Sequence, residues 1–343
     1  MPLRRSVSSL IAAAVAVTAL TGTVAAAPPA APPAGAHTAG GTAGRTYVAL
    51  GDSYAAGFGL PAQATPTRLA FPGCAQTSLD YPHRLAARLK LQLTDASCSG
   101  ATTADFYAPQ SVPGPMPPAE LDVVKALQPN LVTVTIGGND LGFTSIAQTC
   151  LAASPAGPLF LHPTFASCTA YFASAAGSAD NPYARLAAVG SKVLAALKAV
   201  HKADPHARVL VIAYPAIAPN AGNTPLGGCF MANKIPRTLV NGAPLTSAFP
   251  FTDTDVPFLA RLQQRLDREI AEATRDSGGS YTDIYRASLP NSACSPESTR
   301  WVEPVVPGGG GFNVLHPSLA GTAAMAATLA PSATWLLTHD HRS

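Results

Sequence analysis

Thr46-Tyr-Val-Ala-Leu-Gly-Asp-Ser-Tyr54 decides the fold. Its first five residues are a short β-type run, and the chain then turns, so Ser53 emerges where the strand ends. Gly57 and Gly59 keep the next residues close-packed and bendable. A small hydroxyl at the carboxyl end of a first strand is well placed to be a nucleophile in an open α/β sheet. Gly-Asp-Ser alone is a weak signal, and its weight comes from what the rest of the chain sets beside it.

Downstream, strand and helix signals alternate. Residues 82–90 read as a helix with Leu85 and Leu89 on one face and Pro82 near its start. Residues 91–96 read as a second strand, and 118–127 as a helix with Leu121, Val124 and Leu127 at helical spacing. Leu131-Val-Thr-Val-Thr-Ile136 is the clearest strand, β-branched almost throughout and apolar enough for burial on both faces. Helices over 183–201 and 258–275 alternate with strands over 208–213 and 280–284, and an Ala-rich helix closes the chain after His316. This order predicts one α/β domain whose five-stranded, mostly parallel sheet is covered by helices on both faces, a three-layer sandwich. Ligands of such sheets bind at the carboxyl ends of the strands.

Upstream, residues 1–27 carry Arg4 and Arg5, the apolar run from Leu10 to Leu20 and the small-residue exit Val24-Ala-Ala-Ala27, the pattern of a secretory signal peptide. Residues 28–44 are a Pro/Ala/Gly-rich lead-in that cannot bury a core. The domain is therefore expected over 45–343, about 300 residues, in an extracellular, soluble, monomeric protein without stable membrane insertion. Only 12% of the chain is charged and the net charge is +3. Its Lys and Arg are scattered, which argues against nucleic acid as a partner.

Six cysteines follow the leader, an even number that in an exported chain reads as three disulfides. Fifteen pairings are formally open to six cysteines. The sequential set Cys74–Cys98, Cys150–Cys168 and Cys229–Cys294 is expected, because each pair brackets a loop-rich stretch. No two cysteines have C-x2–4-C spacing, so neither a metal nor any other cofactor is implied. Two connections, 141–181 and 215–256, are long for this architecture and rich in apolar side chains, Phe249 and Phe251 among them. They either pack themselves down or form an apolar wall for an acyl chain.

Three later motifs join Ser53. Ser97-Cys-Ser-Gly-Ala-Thr-Thr103 follows the second strand, and Gly100 there lets a backbone N–H approach a ligand. Ile136-Gly-Gly-Asn-Asp140 follows the strongest strand and projects Asn139 over the sheet edge, and Asn313-Val-Leu-His-Pro-Ser318 precedes the last helix. In this order the four resemble the blocks of the SGNH (GDSL-type) hydrolase family over essentially the whole exported domain. The cysteines and insertions resemble its secreted actinomycete lipases and esterases. The resemblance implies Ser53 as nucleophile, His316 as base, and an oxyanion hole from the N–H groups of Ser53 and Gly100 and the side-chain amide of Asn139. No G-x-S-x-G marks an α/β-hydrolase elbow.

One position departs from that family's pattern: Asn313 stands where an Asp is usual, three residues before the histidine. An amide NH2 facing the imidazole would favour the wrong tautomer, whereas a main-chain carbonyl can only accept from Nδ1–H. A Ser-His dyad is therefore expected, with the Asn313 carbonyl, or a neighbour's, orienting His316 and the Gly308–Gly311 run letting the main chain approach. His83, His162, His201, His206, His339 and His341 read as structural or surface residues, and Asp52 and Asp140 as turn and cap residues. The implied activity is hydrolysis of small-molecule or lipid acyl esters through an acyl-serine. The alternatives are a phospholipase A-type activity, a polysaccharide acetyl esterase, or a binding protein that retains the scaffold without catalysis.

Overall fold

The computed structural model describes residues 41–61, 71–176, 178, 180–240, 242–307 and 313–339. The expected signal peptide, most of the lead-in and the Gly308–Gly311 run lie outside them. In chain order the strands are β1 (Thr46–Gly51), β2 (Gln92–Asp95), β3 (Leu131–Thr135), β4 (Arg208–Ile212), β5 (Lys234–Val240), β6 (Ala243–Ser247) and β7 (Ser280–Thr282). The helices are α1 (Ser53–Ala56), α2 (Tyr81–Leu89), α3 (Glu120–Leu127), α4 (Gly138–Leu141), α5 (Phe143–Thr149), α6 (Cys168–Ser174), α7 (Pro182–Ala203), α8 (Cys229–Ala232), α9 (Asp255–Ser277), α10 (Ile284–Ser288) and α11 (Leu319–Thr338).

Five strands form one sheet in the order β2-β1-β3-β4-β7, every neighbouring pair parallel. The strand order reverses direction at β1/β3, the kind of switch point where ligands bind in doubly wound sheets. β3 shows why the strands read as continuous apolar runs, for all five of its residues are buried. Val132 and Val134 face one core with residues of α3, α7 and α9, including Val124, Val193 and Leu266. Leu131 faces the other, with Leu85 of α2 and Met325 and Leu329 of α11. Each such aliphatic side chain stabilises the fold by about 1.5–3 kcal/mol on burial. The two threonines of β3 are satisfied inside that second layer: Thr133 Oγ1 lies 2.7 Å from the Tyr47 hydroxyl and Thr135 Oγ1 2.9 Å from that of Tyr81.

The long connections have structure that periodicity does not reveal. The first contains α5 and α6, and the second contains α8 and the antiparallel hairpin β5–β6. The hairpin was legible in principle, since the two residues between Val240 and Ala243 are Asn241-Gly242, a favoured hairpin pair. Buried Asp255 pins the first connection, accepting from the N–H groups of Cys168 and Thr169 at 3.0 and 2.8 Å. The disulfides are Cys74–Cys98, Cys150–Cys168 and Cys229–Cys294. By loop-closure entropy each constrains the unfolded chain by roughly 3–4.5 kcal/mol, the last most because it closes the longest loop.

Four aromatic residues of these connections pack the loops down. Phe172, Phe230, Phe249 and Phe251 are buried. They pack as the connections' own core, Phe249 edge-on to Phe251 and Phe172 stacked on Phe258. Loops this long cannot hydrogen-bond every backbone group in a regular ladder, so side-chain packing holds them in place.

Candidate active site

Ser53 is the first residue of α1, directly after β1. Gly51 makes that junction possible: its φ is +126°, and a Cβ there would stand 2.2 Å from the Thr135 carbonyl oxygen. The two backbones are drawn together by the Asp52 N–H, which donates to that same carbonyl at 3.0 Å. Asp52 caps α1, its Oδ1 accepting from the Tyr54 N–H at 3.0 Å while Oδ2 accepts from the Tyr214 hydroxyl. Tyr214 in turn accepts from the Gly138 N–H at 2.9 Å, so one buried phenol couples the nucleophile turn to the residue before Asn139. Burial pushes the Asp52 carboxyl up to about 7, opposed by the bonds from Tyr214 and the Tyr54 N–H. Asp52 thus acts as a turn-holding acceptor, well enclosed from substrate.

His316 reaches Ser53 across 263 residues, with Nε2 2.6 Å from Ser53 Oγ. On its other side Nδ1 lies 2.7 Å from the carbonyl oxygen of Val314. A carbonyl only accepts, so Nδ1 carries the proton and the Nε2 lone pair faces the serine hydroxyl. Desolvation pulls the imidazole down to about 4, the Val314 bond opposing it. Among the described residues the ring's hydrogen-bond partners are the Val314 carbonyl and Ser53 Oγ, neither of them a carboxylate that would favour the imidazolium.

Of the two carriers expected for the orienting carbonyl, Asn313 or a neighbour, it is the neighbour Val314, so the role given to Asn313 itself is corrected. Its carbonyl accepts from the backbone N–H of His316 at 2.9 Å, not from the ring. Its amide donates to the Pro317 carbonyl at 3.1 Å. Residues 313–316 form a tight turn with Leu315 in the left-handed region, φ +57°. That turn reserves the Asn313 carbonyl for the main chain and leaves the next one, Val314's, for the ring. A left-handed leucine costs about 1–2 kcal/mol, and its surroundings hold it on both sides. Its N–H donates to the Glu303 carbonyl at 3.0 Å, and its own carbonyl accepts from the Tyr54 hydroxyl. The Tyr54 ring also lies 4.6 Å from the imidazole. Sequence reasoning missed Tyr54 and Tyr214 and left Val314 as an unnamed neighbour, because each acts through a contact distant in sequence or through main-chain atoms.

Gly100 and Asn139 stand on the same edge. The loop after β2 is fastened by Cys98 N–H donating to Gly51 at 2.8 Å and Ser99 N–H donating to Cys74 at 3.0 Å, and Gly100 turns there with φ +85°. Asn139 lies in the first turn of α4, and its Nδ2 donates to Ala101 at 2.9 Å. One amide proton is thereby used to hold the side chain still and the other remains for a ligand. Asp140 fastens the two loops, accepting from the Thr103 N–H and hydroxyl at 2.9 and 2.7 Å. Ser53 N–H is at a helix N-terminus, where the first N–H groups lack intrahelical partners. Ser53, His316, Gly100 and Asn139 therefore share one sheet edge.

An open cleft of about 480 Å³ adjoins this edge, lined by Thr102, Thr103, Tyr107, Asn139, Asp140 and Lys192. A hollow of about 520 Å³ between α2 and α11 holds none of the constellation. Among the described residues Asp80, His83 and Asp95 offer three ligand atoms within 4.8 Å of one another. Asp80 is already engaged as the cap of α2, accepting from the His83 N–H at 2.7 Å and facing its Nδ1 at 2.8 Å.

The profile of the GDSL-like Lipase/Acylhydrolase family matches residues 49–324. Lipase 2 of Streptomyces coelicolor is 33% identical over 282 residues, 82% of this chain and 83% of that protein. Among solved structures, an extracellular lipase from Streptomyces rimosus superposes with a TM-score of 0.54 at 21% identity, covering 84% of this chain and 99% of that one. A phospholipase A1 from Streptomyces albidoflavus gives 0.52 at 24% identity, covering 85% and 100%. The parallel five-stranded sheet between helical layers is the fold those structures share. The chain belongs to the GDSL-like lipase/acylhydrolase family, as a carboxylic ester hydrolase.

Proposed function

We propose that the protein is a secreted lipase-type esterase that cleaves lipid acyl esters through an acyl-Ser53 intermediate, using a Ser53–His316 dyad. The observation that carries this reading is the unbroken line from the Val314 carbonyl through the imidazole to Ser53 Oγ, with spacings of 2.7 and 2.6 Å. In the acylation step Nε2 takes the hydroxyl proton as Oγ bonds to the ester carbonyl carbon. The resulting oxyanion is met by the N–H groups of Ser53 and Gly100 and the free amide proton of Asn139. Collapse expels the alcohol, which takes the proton back from Nε2, and water repeats the sequence to release the acid. Secretion is supported by the leader-like residues 1–27 and by three disulfides, which persist in oxidising compartments.

A phospholipase A-type activity is the second reading. The polar lining contributed by Thr102, Thr103 and Lys192 favours it, suiting a headgroup better than a bare hydrocarbon. A panel of nitrophenyl esters from acetyl to palmitoyl, with phosphatidylcholine beside them, tests both on wild type and Ser53→Ala. Turnover of medium and long acyl chains that vanishes in Ser53→Ala is expected. Acetyl-only turnover would redirect the assignment to carbohydrate esters, and failure of a fluorophosphonate to label Ser53 would leave only a binding role.

A further inference from the structure

The two strands of the hairpin β5–β6 are unlike: β6 buries Leu245 in the core, whereas β5 faces solvent. A two-stranded ribbon is marginal in water unless a core lies beneath it. Five of the seven β5 residues are nonetheless exposed, and none is fully buried. Leu239 is 71% exposed, and Leu226, in the loop leading to the hairpin, is wholly so. Lys234 and Arg237 are exposed on the same strand. No Asp or Glu occurs from residue 205 through 252, and Asp253 lies against Gly228.

That base is firmly tied. Cys229 is joined to Cys294, and the Asn233 amide donates to both of their carbonyls at 3.0 Å. The base is also continuous with the loop of the proposed general base. Ala248, just past β6, accepts from the Val306 N–H at 3.2 Å, and Glu303 N–H donates to the His316 carbonyl at 2.9 Å. An apolar and cationic ribbon whose rigid root is linked to the His316 loop has the character of an interfacial anchor: leucine enters the headgroup–acyl boundary while Lys and Arg meet anionic headgroups.

We propose that β5–β6 docks the protein on anionic lipid surfaces through Leu226, Lys234, Arg237 and Leu239, delivering acyl esters to Ser53. The proposal extends the lipid-ester reading. Its test separates the two because binding is measured on Ser53→Ala, which turns nothing over. That variant is sedimented with phosphatidylglycerol/phosphatidylcholine vesicles and with phosphatidylcholine vesicles alone.

Selective binding to the anionic vesicles, weakening as salt rises, is expected. Adding Lys234→Glu and Arg237→Glu should weaken it at least about 25-fold, the loss for two cations near an anionic surface. Adding Leu239→Asp instead should weaken it about 10-fold or more. In the wild-type background these surface variants should hydrolyse a dissolved short-chain nitrophenyl ester at an unchanged rate, which certifies their fold. Equal binding by the variants, no anionic preference, or a dimer in solution that the same substitutions dissolve would overturn the proposal. Vesicle binding by a wild type that cleaves no ester would instead overturn the hydrolase reading and leave the docking intact.

Discussion

The two members of the proposed dyad are held by opposite means. Ser53 stands at a strand-to-helix junction between parallel strands, and Gly51, Asp52 and the carbonyl of Thr135 leave it almost no freedom. His316 stands on an irregular turn whose shape depends on a left-handed Leu315, on the Glu303 and Val314 carbonyls and on the Tyr54 hydroxyl. The first site is enforced by regular secondary structure, the second by a few long-range hydrogen bonds. Damage near Ser53 should therefore perturb the fold, whereas damage around His316 should perturb catalysis with the fold intact.

The harshest test of that contrast is His316→Ala. It should lower kcat by roughly 10⁴ or more while leaving the thermal midpoint within a few degrees of wild type. A midpoint falling by 10 °C or more would mean that the imidazole also holds the loop. Next comes Asn139→Ala, which removes one oxyanion donor and should cost about 10²–10³ in kcat. An equal rise in KM instead would mark Asn139 as a substrate-binding residue.

Tyr54→Phe keeps the ring against the imidazole and deletes the bond to the Leu315 carbonyl. A fall of about 10-fold in kcat with KM unchanged is expected, since one buried hydrogen bond contributes about 0.5–1.5 kcal/mol. An unchanged kcat would show that the turn keeps its shape without Tyr54.

The smallest effect belongs to Asn313, whose side chain faces Pro317 rather than the ring. Asn313→Ala should reduce kcat by less than about 5-fold. The pH profile makes the point sharper. His316 works as a base only when neutral, and its folded value is pulled down to about 4, so kcat/KM should hold as pH falls through 6.5 and fail only near 4. Asn313→Asp should leave that acid limb where it is. A shift of the limb toward 6.5 or above would show the new carboxylate reaching Nδ1 and stabilising the imidazolium.

Much of this was written in the chain. Alternation of β-branched runs with helical spacing determines a parallel sheet, because only helices on both faces can bury strands such as Leu131–Thr135. The residues now gathered at the sheet edge were each readable too, since Ser53, Gly100 and Asn139 directly follow strands and strand ends define that edge. Less was readable in the long connections, where side chains such as Phe249 and Phe251 pack on each other without period.

Orientation of the imidazole belonged to tertiary structure alone. Sequence could say that Asn313 lacks the charge of an aspartate, and hence that a carbonyl must serve. Which carbonyl serves depends on the direction of one peptide plane, set by the left-handed Leu315 and by partners from Glu303 and Tyr54. Side-chain chemistry and periodicity are local properties of a chain, but the direction of a main-chain dipole is settled only when distant segments close around it.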